Sequence, residues 1–527
     1  MRVNRAVLRL TPVLVGLLAA GTFTAVRASS ATVPLVDFTV LNTSTAVRRG
    51  PGEPVYLYDL GFYAVAHETV EIRTHRGASY SDPIAATLSV GEGAERATTD
   101  LPANITTNPG RLTSFFDVKV SDARGQKVRS SALEFCPNSY GRSRVEPDAA
   151  AQSPYPRSCG GSHPFALGSV LGITKGWSTP VLGDYESPLS FEAPDGTYTV
   201  KIAVARPWRE VLGLTLEQAT SQVTVKVSTY GTSTARSSAE HSQHMHHTHP
   251  VVDEARLSPQ TAALEAARKR ALGVPNVPAP NPPTGRVDAF DVNDAPKADL
   301  RSLPAYDISR EVTGRPGQAR KTYLNFGATV WNAGPSPLVV DGFRKPGQDV
   351  LEAYQYFFDA EGNQVGHAPA GEMQWDPRNG HNHWHFKDFA SYRLLDSTRK
   401  KAIISGKEAF CLAPTDAIDL TVDDAQWRPA STDLDTACGQ SNKNLLSIRE
   451  VLESGWGDTY GQYLPGQSFD ITRVPGGTYY VETLANPERR LTESDYDNNS
   501  ALRKVAIGGP VGGVRTIKVY PYEGVKR

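Results

Sequence analysis

A chain of 527 residues is too long for one hydrophobic core, so two or more domains are expected. With 39% hydrophobic and 21% charged residues it has the make-up of a globular protein rather than a disordered one. Its formal net charge of −1 leaves no basic excess, which argues against a nucleic-acid partner.

Arg2, Arg5 and Arg9 precede an apolar run from Leu10 through Val26, and small residues follow. Val26-Arg27-Ala28 or Ser29-Ser30-Ala31 suits a signal peptidase, so residues 1–31 read as a signal peptide and the product as secreted and extracellular. A retained membrane anchor fits less well, because the run is short and rich in Thr, Gly and Pro. No stable membrane span is expected after cleavage.

Residues 32–228 read as strands and turns, an immunoglobulin-like β-sandwich region. Val200, Ile202 and Val204 alternate with more polar neighbours, as do Val223, Val225 and Val227. Pro194-Asp195-Gly196 turns the chain ahead of Tyr198, an arrangement found at sandwich corners. His67, His75 and His163 are isolated and are expected to be structural or surface residues.

Residues 229–299 form a linker rich in Ser, Thr, Ala and Pro, with a short helix expected at 260–272. It opens on His241, His244, His246, His247 and His249, either a loose Cu or Zn tract or a solvated polar segment. Such a linker predicts few contacts between the regions that it joins.

Residues 300–509 read as a second, mostly β domain, followed by a tail at 510–527. Leu324, Phe326 and Val330 mark one strand, residues 478–484 another, and a short helix is expected at 445–453. The whole chain is expected to be mostly β. Cys136 with Cys159 and Cys411 with Cys438 are close pairs that would each close a local loop in an oxidising compartment. Each bridge would contribute roughly 3–4 kcal/mol. The alternative is four free thiols.

The sharpest local feature is Gly380-His381-Asn382-His383-Trp384-His385. Histidines at i, i+2 and i+4 cannot share a helix face, but they share one face of a strand over about 13 Å. The outer rings must lean inward, which predicts a bent strand or a strand end. Three imidazoles with open positions suit Cu(II) or catalytic Zn.

These histidines sit in a stretch, residues 375–396 with Asp388, Tyr392 and Leu394-Leu395-Asp396, that resembles the copper-binding segment of lysyl oxidases, as in a bacterial member of that family. Gly406-Lys407-Glu408-Ala409-Phe410-Cys411-Leu412 is similar to the family's segment bearing the cofactor lysine. Asp458-Thr459-Tyr460-Gly461 is similar to the segment bearing the cofactor tyrosine, and Glu493-Ser494-Asp495-Tyr496 with Asn498-Asn499 to its closing turn. The resemblance spans residues 303–507. Between His385 and Leu394 the chain is about one residue shorter than the animal enzymes, and it has far fewer cysteines.

The resemblance implies copper held by His381, His383 and His385, and a lysine tyrosylquinone made from Lys407 and Tyr460. It further implies oxidative deamination of a primary amine (lysine, peptidyl-lysine or a small amine) by dioxygen to aldehyde, ammonia and hydrogen peroxide. Asp388 is the candidate general base, or equally an orienter of a ligand histidine. The N-terminal region would then offer a docking surface for an extracellular protein or polymer. The rival reading is a secreted copper-binding or copper-delivery protein; simple carriage of copper would need neither Lys407 nor Tyr460.

Overall fold

The computed structural model describes residues 34–41, 43–58, 60–159, 163–182, 189–230, 295–314, 320–344, 348–377, 383–429 and 443–525, with residues 404–410 as backbone alone. The expected signal peptide, the histidine tract at 241–249, the helix expected at 260–272, His381 and Cys438 lie outside these residues. The chain is mostly β, as its patterning predicts. Among the described residues no helix is long and apolar enough to cross a membrane.

In the N-terminal region the Gly196–Val204 strand buries Tyr198, Val200, Ile202 and Val204, the period of two read from its residues. It lies inside a sheet ordered Ser44–Arg49, Thr220–Thr229, Gly196–Val204, Leu112–Asp122, Lys127–Phe135. That inner face packs on Phe38, Ile72 and Leu171 from smaller sheets, so strands from different sheets share one core. The Tyr198 hydroxyl donates to the Pro194 carbonyl at 2.7 Å and closes the corner that Pro-Asp-Gly begins. Cys136 and Cys159 form a disulfide, as their spacing suggests.

The second region has two sheets facing one another across an apolar core. One runs in the order Ser447–Leu452, Leu338–Arg344, Val350–Phe358, Gln364–Asp376, His383–Leu395, Gly477–Ala485, Ser500–Gly508, Thr516–Val519, and Ala402–Phe410 also pairs with His383–Leu395. The other runs Leu300–Ser302, Lys321–Asn332, Trp456–Tyr460, Asp416–Ala417. Phe326, Trp384, Tyr392, Leu412 and Tyr460 belong to the core between them. Glu493 of the closing-turn motif ties this region together: its carboxyl accepts from Asn486 and Asn499, both at 2.7 Å, and from the Leu300 amide at 2.9 Å.

Two sequence expectations change here. The helix expected at 445–453 is the strand Ser447–Leu452, paired antiparallel with Leu338–Arg344. Ile448, Val451 and Leu452 have helical spacing, but both faces of the segment are buried and Arg449 forms a two-bond ion pair with Asp341 on the neighbouring strand, each bond 2.7 Å. Tertiary pairing outweighs the local pattern. The expectation of few contacts across the linker is not met either. Phe165 and Leu167 of the N-terminal region share a buried cluster with Leu303, Trp331 and Ile418, and Tyr155 and Val170 share another with Ala417 and Leu420. Backbone bonds cross the same seam, from Leu167 to the Ile418 carbonyl at 2.6 Å and from Leu420 to the Gly168 carbonyl at 3.1 Å. A Cβ on Gly168 would lie 2.4 Å from the Asp419 carboxyl, so glycine permits this approach.

Candidate active site

His383 opens the His383–Leu395 strand, which is the strand end that the motif predicts. Asp376 and Gln374 of the adjoining strand lie opposite His383 and His385. The ring Nε2 atoms of His383 and His385 approach to 2.8 Å. Two metal bonds of about 2.0 Å at a right angle would separate their nitrogens by about the same distance, the spacing of neighbouring ligands in a tetragonal Cu(II) site. His385 is 1% exposed, and its Nδ1 lies 3.5 Å from Asp376 Oδ2. A carboxylate behind a ligand imidazole fixes ring orientation and raises ligand basicity. Among the described residues no group of three His, Cys, Asp and Glu side chains forms a metal site. The third imidazole of the motif, His381, is outside them.

Asp388 follows the pair on the same strand. Its φ of 59° is left-handed, and it sits where the pairing with Ala402–Phe410 shifts register between Phe386 and Ala390. The bulge is also where the strand exchanges one neighbour, Gln364–Asp376, for another, Gly477–Ala485. Asp388 is half-buried.

Lys407 belongs to the Ala402–Phe410 strand, opposite Ser391. Tyr460 ends the Trp456–Tyr460 strand of the facing sheet and is 8% exposed. The two elements meet through backbone: the Cys411 amide donates to the Tyr460 phenol oxygen at 3.1 Å. The next amide, Leu412, donates to Glu450 at 3.0 Å. Cys411 is disulfide-bonded.

Around the phenol the groups are acidic and dry. Glu450 is 0% and Asp458 1% exposed, and burial pushes both carboxyls well above the usual range. The charges of Glu450 and Asp416 push Asp458 further in the same direction, whereas the Leu412 and Phe386 amides work against the rise at Glu450. The Tyr460 phenol is raised by burial and then by Asp458, with the Cys411 amide opposing. Burial and the neighbouring acids therefore favour the protonated form of all three groups, Glu450, Asp458 and Tyr460.

Glu450, Asp458 and Asp376 were not singled out from sequence. Asp458 stands inside a quoted motif, and the place of Asp376 opposite His383 becomes visible once the strand register is known. Glu450 gives no local signal, since it reads as one more charge in an amphipathic segment.

Fold and site together define a β-rich domain in which the strand bearing the imidazole pair shares a core with a buried tyrosine and pairs with the lysine-bearing strand. Residues 350–511 match the family model for Lysyl oxidase, so the C-terminal region carries a lysyl oxidase family domain. Protein-lysine 6-oxidase of Homo sapiens is 32% identical over 153 residues, 28% of this chain and 32% of that protein. Lysyl oxidase homolog 2 of Gallus gallus is 27% identical over 139 residues, 24% of this chain and 16% of that protein. Lysyl oxidase homolog 4 of Mus musculus is 28% identical over 131 residues, 25% of this chain and 15% of that protein. The chain thus spans a third or less of the length of these relatives, and the N-terminal region lies outside the family match.

Proposed function

We propose that this chain is a secreted, copper-dependent amine oxidase of lysyl-oxidase type, in which Lys407 and Tyr460 are joined as a lysine tyrosylquinone. Its substrate is a primary amine (lysine, peptidyl-lysine or a small amine), which dioxygen and water convert to aldehyde, ammonia and hydrogen peroxide. The observation that carries this reading is the contact of the Tyr460 phenol with the Cys411 amide, four residues beyond Lys407, on the core that also receives the His383–Leu395 strand.

His381, His383 and His385 would hold copper, with Asp376 orienting His385. Copper supplies the positive charge and electron acceptance that oxidation of a tyrosine ring requires, and the quinone supplies the electron sink for the amine. The chain's own residues do the rest. The Cys411 amide holds the phenol oxygen in place, and the packed core keeps bulk water from it. Asp388 takes the proton from the carbon bearing the amine. Being half-buried, it can exchange that proton with solvent, which Glu450 and Asp458, sealed in the core, cannot do readily.

The test is peptide mass spectrometry with quinone staining of copper-loaded, aerated protein beside Tyr460→Phe. A single joined species containing Lys407 and Tyr460 is expected from the wild type alone. Two unmodified peptides from copper-loaded protein would overturn the reading.

A further inference from the structure

The strand that carries Tyr460 is gripped from the N-terminal region. His163 belongs to that region, is 7% exposed, and lies at the seam with the Tyr306 ring edge-on to it at 4.7 Å. Its Nδ1 accepts the Phe165 amide at 3.2 Å, so the neutral ring carries its proton on Nε2. That nitrogen donates to Thr329 Oγ1 at 2.9 Å. Burial holds the imidazole neutral by lowering its pKa to about 4, although the Asp416 charge pulls the other way.

Thr329 passes the contact on. It faces Thr459 in strand register, and their hydroxyl oxygens are 2.8 Å apart. The Thr459 amide is also fixed, donating to Thr415 Oγ1 at 2.9 Å. Thr459 lies between Asp458 and Tyr460, and successive side chains of a strand point to opposite faces. A pull on Thr459 toward His163 therefore seats Asp458 and Tyr460 in the core on the other face, where they are 1% and 8% exposed. Space at this point is tight: a Cβ on Gly457 would meet Thr329 Cγ2 at 2.6 Å.

We propose that His163 is a positioning residue for the candidate active site, supplied by the N-terminal region, which acts through Thr329 and Thr459 to hold the Tyr460 phenol against the Cys411 amide. The strand-holding role stands on geometry alone, while its consequence for catalysis rests on the reading of Tyr460 as a cofactor residue. On this view the N-terminal region completes the site as well as offering a surface for docking.

The experiment uses the full chain with His163→Ala, His163→Gln and Thr329→Val. Hydrogen exchange of residues 456–460 is measured on the metal-free protein. Quinone yield, kcat and KM for a small primary amine are measured after copper loading. His163→Ala and Thr329→Val should each speed exchange in this strand by about tenfold, the scale of one lost buried hydrogen bond. They should lower quinone yield and kcat with little change in KM. His163→Gln, whose amide can donate near the Nε2 position, should recover most of both. The proposal fails if exchange of this strand is unchanged in His163→Ala. It also fails if exchange rises equally throughout the N-terminal region and Gln restores nothing. A wild-type chain that makes no quinone would sink the amine-oxidase reading, and the exchange result would still decide the role of His163.

Discussion

The Cys411 amide donates to the Tyr460 phenol oxygen at 3.1 Å, joining the end of the lysine-bearing strand to a tyrosine on the opposite sheet. Along with the neighbouring bond from Leu412 to Glu450, it makes one short backbone segment the meeting point of both sheets. A side chain that must react with another needs such a fixed meeting point, because misplacement by an ångström costs orders of magnitude in rate.

Tyr460→Phe removes the hydrogen bond from the Cys411 amide and leaves the ring in its packing. We expect a stability loss of about 1 kcal/mol, read from urea unfolding of the metal-free chain. Crosslinking to Lys407 should vanish completely. A large stability loss would instead make the phenol a structural group.

For the metal, the carboxylate of Asp376 lies 3.5 Å from His385 Nδ1. Asp376→Asn should weaken copper binding by about tenfold to hundredfold in chelator competition, the usual effect of losing such a partner. His383→Ala and His385→Ala should abolish copper retention and quinone formation. Deletion of residues 241–249 should leave activity largely intact when copper is in excess, and loss of activity there would relocate the metal.

Legibility from sequence follows the range of each interaction. His383 and His385 are two residues apart, so strand period alone predicts their shared face, and the structure places their rings together. Tyr198 and its alternating neighbours were legible for the same reason. Ile448, Val451 and Leu452 misled because their spacing suits a helix as well as a strand buried on both sides. The link from His163 to Thr459 through Thr329 was illegible, since it depends on the Thr329–Thr459 register and on a seam between regions far apart in sequence. A polar residue isolated in sequence carries no sign of what the fold will bring to it.

Glu450 and Asp458 give a pH dependence of stability. Burial raises both carboxyls, so the folded chain keeps protons that the unfolded chain releases above about pH 4. Their contribution is full below that point and is lost as pH rises toward the folded values. Metal-free wild type should therefore unfold at lower urea in mildly alkaline than in mildly acid buffer. Glu450→Gln and Asp458→Asn, neutral at every pH, should each flatten that slope. An unchanged slope in both would mean that other groups set it.

The seam makes a final prediction about the C-terminal region alone. Leu303, Trp331 and Ile418 are 3%, 1% and 0% exposed, and all three pack in a cluster with Phe165 and Leu167. Removing the N-terminal region would bare these side chains, at roughly 1.5–3 kcal/mol for each large apolar group. Together that is roughly 5–9 kcal/mol, comparable with the whole stability of an ordinary domain. It would also break the backbone bonds to Ile418 and from Leu420, and leave Thr329 without His163. We therefore expect a chain beginning at Asp299 to be aggregation-prone or molten, with poor near-ultraviolet circular dichroism and little quinone even with copper in excess. Replacing Trp331 and Ile418 by polar residues in that fragment should improve solubility without restoring quinone yield. A soluble, cooperatively folding fragment that makes the quinone at the full chain's level would show that the N-terminal region neither supports nor completes the site.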